Sequence, residues 1–314
     1  MSSNGILILG GSGFIGRSLI DRLISKGRHV YVISSKAHSL PTNKNLYALS
    51  GSMDDKKLLK KSLPHCKTVF HLASKTTPGT FINQPSYEVI NNILPTTRFL
   101  EFLQNYKDVD LIYLSSGGVL YGNPEKTPVE ESAPLNPVSY YSSGKIAIEA
   151  FVKSYCQKSN NNAVILRPSN IYGPGQLFQP GFGVIPSIFH HILNTKEFSI
   201  WGDGSNTRDY LFISDFVNLC EELINSPSNT GVNVYNVASN QSASINHLCD
   251  TIENITHEKL FRRFYDSRQV DVKDISLNCS HLFRQYQWRP NTKLNYGLIE
   301  TWKWFKKQYS DNNK

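Results

Sequence analysis

Ile6-Leu-Ile-Leu-Gly-Gly-Ser-Gly-Phe-Ile-Gly16 is the stretch whose reading decides the fold. Its four leading apolar residues do not alternate with polar ones, the pattern of a strand buried on both faces in a parallel sheet. Gly10, Gly13 and Gly16 follow, and then Leu19, Ile20, Leu23 and Ile24 recur at helical spacing. Strand, tight turn and helix are thus written in succession. Gly10 permits the turn, Gly13 lets backbone N–H groups approach a pyrophosphate, and Gly16 lets the helix pack closely on the strand. Phe14 and Ile15 open the helix, whose dipole favours the anion. Gly10, Gly13, Phe14, Ile15 and Gly16 are therefore candidate cofactor-binding residues, although the spacing is G-x-x-G-x-x-G rather than G-x-G-x-x-G.

Beyond the turn at Gly27, His29 to Ile33 reads as a second strand. The residue ending this strand meets the adenosine ribose in a dinucleotide fold, and an acidic side chain there selects NAD. Ser34, Ser35 and Lys36 stand here instead. Nothing at that point repels a 2′-phosphate, and Lys36 either pairs with one or is a solvated loop lysine. Further strands are expected at Leu46 to Leu49, Thr68 to Leu72, Asp110 to Ser115, Ala163 to Arg167 and Val232 to Val237. Helical patterns separate them at Lys56 to Ser62, Tyr87 to Gln104, Lys145 to Gln157 and Ser214 to Asn225. The alternation predicts an α/β, doubly wound parallel sheet. His71 reads as a packed strand histidine. From Pro168 to Arg208 the composition turns to Pro, Gly and aromatic residues, read as loops over the carboxyl ends of the strands, where ligands bind in such sheets.

Composition narrows the classes. Of 314 residues 39% are apolar, and no run of about 18 apolar residues is present to cross a membrane. The N-terminal apolar residues belong to the first strand rather than to a secretion signal, so a cytoplasmic protein is expected. Cys66, Cys156, Cys220, Cys249 and Cys279 are odd in number and widely spaced, which reads as buried reduced thiols and neither disulfides nor a metal site. The net charge of +8 is scattered, without a basic helix or tail, and excludes nucleic acid as the expected partner.

Tyr141-Ser-Ser-Gly-Lys145 places a phenol and an ammonium four residues apart. On a helix the two share a face, and the lysine is expected to lower the phenol's pKa toward neutrality. Such a tyrosine gives or takes a hydroxyl proton while a hydride moves to or from a nicotinamide.

Together these stretches resemble the extended short-chain dehydrogenase/reductase family, above all its nucleotide-sugar epimerases, dehydratases and 4-keto reductases. The resemblance covers nearly the whole chain. Besides the glycine turn and the Tyr141/Lys145 pair it rests on Asn92 in Asn-Asn-Ile-Leu-Pro-Thr, Ser115-Ser-Gly-Gly-Val-Leu-Tyr-Gly122 and Arg167-Pro-Ser-Asn-Ile-Tyr-Gly-Pro174. Trp201-Gly-Asp-Gly, Arg208-Asp-Tyr, Arg268-x-x-Asp271, Trp288-Arg-Pro and Trp302-Lys-Trp-Phe complete it. It implies a Rossmann domain over residues 1–168 and 211–238, and a smaller C-terminal α/β nucleotide-sugar-binding region over 169–210 and 239–314. It also implies Tyr141 as acid/base, Lys145 on the nicotinamide ribose, and Asn170, Arg208 and Arg268 as substrate contacts, Arg268 being alternatively a structural surface arginine.

Two departures stand out. A Ser or Thr usual in the family for binding the reacting oxygen is replaced by Gly117, so that Ser116, Ser115, Thr76, Thr77 or a water must serve; Ser116 is the choice made here. Ser34 and Ser52 stand where relatives often carry Asp. A permanently held NAD suits an epimerase, so the missing carboxylates tilt the reading toward an NAD(P)H-dependent reductase of a nucleoside-diphosphate 4-keto-6-deoxyhexose, such as a dTDP-sugar, supplying surface polysaccharide. The alternatives are an NAD-dependent UDP-hexose 4-epimerase and a non-catalytic cofactor-sensing protein. A homodimer is the expected assembly.

Overall fold

The computed structural model of the chain describes residues 4–159, 161–226, 231–267, 272 and 274–312. Strands β1 (Gly5–Leu9), β2 (Val30–Ser34), β3 (Leu46–Ser50), β4 (Cys66–His71), β5 (Asp110–Leu114) and β6 (Ala163–Pro168) lie in the order 3-2-1-4-5-6. β7 (Asn170–Tyr172), β8 (Phe198–Trp201) and β9 (Thr207–Phe212) come next, and β10 (Val232–Val237) returns to the large sheet beside β6. β11 (Ser242–Ser244) and β12 (Arg262–Tyr265) complete the set. The large sheet is parallel and seven-stranded, a Rossmann arrangement whose strand order reverses on either side of β1. Ligands bind at that switch point, outside the carboxyl ends of the strands.

Ile6, Leu7, Ile8 and Leu9 are at most 1% exposed, so β1 is covered on both faces as its unbroken apolar run requires. Each such side chain contributes about 1.5–3 kcal/mol when fully buried. Helix α1 (Phe14–Ser25) buries Leu19, Ile20 and Leu23 and leaves its charged residues outward. Then follow α2 (Lys56–Ser62), α3 (Pro85–Glu88), α4 (Leu94–Leu103), α5 (Gly117–Leu120), α6 (Tyr140–Ser159), α7 (Val184–Leu193), α8 (Ile213–Asn225), α9 (Ile245–Thr256), α10 (Ser280–Gln285) and α11 (Leu294–Asn312).

Three elements differ from their sequence patterns. The helix expected over 87–104 spans 85–103 and holds a π turn at Val89–Ile93. α6 begins at Tyr140 rather than Lys145, so both members of the Tyr141/Lys145 pair lie on it. The Pro- and Gly-rich stretch after Pro168 is not loop alone: it contains β7, α7, β8 and the start of β9. Short strands such as Phe198–Trp201, with alternate residues buried, are too brief to show above the surrounding glycines.

Contacts divide the chain into two compact units. One holds residues 1–116, 140–167 and 217–235, and the other 117–139, 168–216 and 236–314. Residues 117–139 go with the second through a bridge between Val129 and Leu277 and a hydrogen bond of 2.7 Å from Tyr121 Oη to Asn236 Oδ1. No helix among the described residues is long and apolar enough to cross a membrane. All five cysteines are free and buried, as their spacing indicates.

Candidate active site

The glycine turn has the geometry its spacing calls for. Gly10 sits at φ +85°, and a Cβ there would lie 2.7 Å from the Ala73 backbone. At Gly16 a Cβ would come within 2.6 Å of Gly11 Cα, so only glycine lets α1 pack this closely. Gly13 caps α1 without a side-chain hydrogen bond, and a Cβ there would meet only the Gly10 carbonyl, at 3.5 Å. The first-turn N–H groups of α1, those of Phe14 and Ile15 among them, have no carbonyl four residues back within the helix to take them, a fit for a dinucleotide pyrophosphate.

At the adenosine end, Ser34 ends β2, is 8% exposed, and shares a 2.5 Å hydrogen bond with Ser12 of the turn. Ser35 and Lys36 are exposed, and Lys75 Nζ donates to Ser35 Oγ at 3.4 Å. Ser52 donates its hydroxyl to Asp54, which lies 3.5 Å from Arg98. Ser34 and Ser52 thus stand as serines, with Asp54 bonded to Ser52 and paired with Arg98.

The first unit also gathers Tyr141, Lys145 and Ser116. Tyr141 and Ser116 share a hydrogen bond. Lys145 Nζ donates to the Leu114 carbonyl at 2.8 Å and lies 5.1 Å over the Tyr113 ring and 5.7 Å over the Tyr141 ring. Burial pulls the Lys145 ammonium down to about 8, opposed by the charges of Glu88 and Glu149. Tyr141 departs from expectation: burial pushes its phenol up to about 12, with the Ser116 hydrogen bond lowering it and the Glu88 charge raising it further. Desolvation of the phenolate outweighs the nearby ammonium, whose hydrogen bond goes to a backbone carbonyl instead.

Other hydroxyls considered for the reacting oxygen are engaged. Ser115 Oγ donates to Glu149 Oε1 at 2.6 Å, and Arg167 grips both oxygens of that carboxylate at 3.0 and 2.6 Å. Thr76 Oγ1 donates to Glu88 Oε2 at 2.5 Å. Thr77 Oγ1 donates to Thr80 Oγ1 at 3.3 Å. His71 is 1% exposed, bonded through Nε2 to Thr96 at 2.9 Å, and pushed down to about 3 by burial and by the Lys145 charge. Both of these carboxylates, Glu149 and Glu88, were absent from the sequence-derived site. The available signal for Glu88 was an acid in an apolar helical stretch, four residues before Asn92.

In the second unit, Asn170 and Arg208 come together with Gly118, Ser169, Asp209, Ile275 and Leu277. Alternation along β9 sends neighbouring residues to opposite faces, with Asp209 buried and Arg208 half-buried. Asp209 accepts from Ser169 Oγ (2.5 Å), Ser239 N and Oγ (2.8 and 2.9 Å) and Gln241 N (2.9 Å), which fixes the strand end. Burial raises its carboxyl above the ordinary value, against the pull of these donors. The Arg208 guanidinium donates to the carbonyls of Thr207, at 2.8 Å, and Val272. Arg268 lies outside the described residues.

Residues 6–238 match the model of the NAD dependent epimerase/dehydratase family. The chain belongs to that family. It is 30% identical to a putative UDP-glucose 4-epimerase of Methanocaldococcus jannaschii, over 96% of this chain and 98% of that protein. Identity is also 30% to a dTDP-4-dehydro-6-deoxyglucose reductase of Escherichia coli, over 94% and 95% of the two chains. The crystal structure of a Thermotoga maritima UDP-glucose 4-epimerase with UDP-glucose superposes with a TM-score of 0.89 at 27% identity, covering 97% and 99%. The protein is thus an NAD(P)-dependent enzyme of the epimerase and oxidoreductase type, and Tyr141 and Lys145 lie on one helix.

Proposed function

We propose that the protein is an NAD-dependent 4-epimerase of a UDP-hexose, with Tyr141 as its acid/base. The observation that carries this is the end-to-end likeness to UDP-glucose 4-epimerases, one of them holding UDP-glucose. It outweighs the reductase reading, which rests on the serines at 34 and 52. The glycine turn would hold the pyrophosphate of the dinucleotide, and Lys145 the nicotinamide ribose. The nicotinamide, when bound, takes up and returns the hydride. Tyr141 Oη, which must first be ionised against the upward push of its burial, would take the proton of the C4 hydroxyl as the hydride leaves C4. Once the keto sugar has turned to offer its other face, Tyr141 would give that proton back to the same oxygen, to which Ser116 donates a hydrogen bond. Asn170 and Arg208 are assigned to the sugar diphosphate, which a guanidinium fork suits.

The second reading, reduction of a nucleoside-diphosphate 4-keto-6-deoxyhexose, draws on the E. coli relative and on the serines at 34 and 52. One experiment separates them. The purified protein is expected to retain about one NAD per chain, as a tightly bound cofactor would, and to interconvert UDP-glucose and UDP-galactose without added cofactor. Stoichiometric consumption of NAD(P)H with a 4-keto-6-deoxy nucleotide sugar, without cofactor-free interconversion, would establish the reductase.

Assembly and location fit the same reading. Val89, Ile90 and Leu94 on the α3–α4 run and Phe151 on α6 are exposed apolar side chains, which favours burial against a second copy in a homodimer. Five buried free thiols suit a reducing compartment such as the cytoplasm.

A further inference from the structure

Gly144 is a glycine in the 20-residue helix α6, where that residue weakens a helix. Its surroundings account for it. A Cβ at 144 would come within 2.1 Å of Glu88 Oε1 and 2.5 Å of Glu88 Cγ. The Glu88 side chain therefore fills the space that any other residue would need, one position before Lys145. Glu88 is 4% exposed and ends α3, immediately before the π turn. Thr76 Oγ1 donates to its Oε2 at 2.5 Å, Asn92 Nδ2 donates to Thr76 Oγ1 at 2.8 Å, and the Lys75 N–H donates to Asn92 Oδ1 at 2.8 Å. The π turn helps bring Asn92 inward, and Thr96 Oγ1 ties down its carbonyl at 2.7 Å.

A carboxylate so enclosed needs a positive partner. The groups bearing on Lys145 are Tyr141 and Glu149 on its own helix, Tyr113 on β5, His71 on β4 and Glu88 on α3. Glu149 is held in both oxygens by Arg167 of β6, and His71 is uncharged at neutral pH. Glu88, whose Oε1 lies where a Cβ of Gly144 would stand beside Lys145, is the other negative charge bearing on the ammonium, at a range beyond a direct ion pair.

We propose that Glu88 is a positioning residue, the buried counter-charge of the Lys145 ammonium, admitted against α6 by Gly144 and aimed by Thr76 and Asn92. Its role rests on Tyr141 and Lys145 being the acid/base pair, and is the same for an epimerase or a reductase. Removing the charge leaves Lys145 with desolvation less opposed, so the ammonium is lost at lower pH.

The test reads Lys145 directly and needs no substrate. In protein with ¹³Cε-labelled lysine, the Lys145 resonance, assigned by its loss in Lys145→Arg, should titrate near pH 8. Glu88→Gln should lower that midpoint by about one unit, and Glu88→Asp, which keeps the charge, should restore most of it. The basic limb of kcat should move down with it. A midpoint in Glu88→Gln within about 0.3 of wild type would overturn the proposal. If Glu88→Gln does not fold, the double variant Glu88→Ser, Gly144→Ala fills the gap without a charge, and an unmoved midpoint there overturns it equally. Failure to epimerise any nucleotide sugar would defeat the proposed reaction while leaving this titration as it stands.

Discussion

The two ends of the cofactor cleft in the first unit are built from opposite materials. Around Tyr141 stand buried charges, Lys145, Glu88, Glu149 and the Arg167 that grips Glu149, all at most 6% exposed except the tyrosine itself. Around Ser34 stand hydroxyls: Ser12, Ser34, Ser35 and Ser52, with the exposed Lys36 and the Lys75 ammonium beside them. A proton-transfer site gains from charges fixed in a low-dielectric setting, because each then acts strongly and needs no reorganisation during reaction. A site that only grips a ribose needs donors and acceptors of the right shape. Substitutions at the first end should therefore change rates, and those at the second should change which cofactor is held.

The largest effect is expected from Tyr141→Phe. It removes one hydroxyl and little volume, so the fold should persist, while kcat should fall at least about a hundredfold. Circular dichroism together with turnover checks both halves. A variant keeping more than about a tenth of wild-type kcat, a loss below about 1.4 kcal/mol, would show that the charged end is structural and the comparison misdrawn.

Ser116→Ala comes next, with an expected tenfold or so loss in kcat and little change in KM, because one donor to the reacting oxygen is lost. Ser115 and Thr76 are the natural stand-ins, yet their protons already go to Glu149 and Glu88. An unchanged rate would transfer the oxygen-binding role to a group outside these three.

Much of this contrast was legible in the residues, but unevenly. β1 announced itself because burial on both faces demands an unbroken apolar run, and the turn because Gly10 and Gly16 meet backbone within 3 Å of where a Cβ would sit. Tyr141 and Lys145 were visible through their i, i+4 spacing. Glu88 was not. Its significance lies in contacts with Thr76 and Gly144, 12 and 56 residues away, and local periodicity carries no information about such pairs. The phenol's upward shift at Tyr141 is likewise a property of enclosure, which spacing does not report.

The smallest expected effect, and the sharpest test of the hydroxyl-built end, is that of Ser34→Asp. Ser34 closes β2 with its Oγ 2.5 Å from Ser12 Oγ, so a carboxylate at this position starts with one donor in reach, at the strand end where a dinucleotide fold receives the ribose. There it would accept from both hydroxyls of NADH, whereas the 2′-phosphate of NADPH would meet a like charge. Dissociation constants for the two cofactors, measured by fluorescence quenching and so independent of any substrate, should diverge by about fivefold in favour of NADH, or about 1 kcal/mol. Raising the ionic strength should shrink the penalty on NADPH more than the gain on NADH, since only the former is a repulsion between charges. Equal weakening of both cofactors would mean that the Ser12–Ser34 contact holds the turn in shape and that the ribose lies elsewhere. The two ends would then differ in burial alone and not in the kind of work they do.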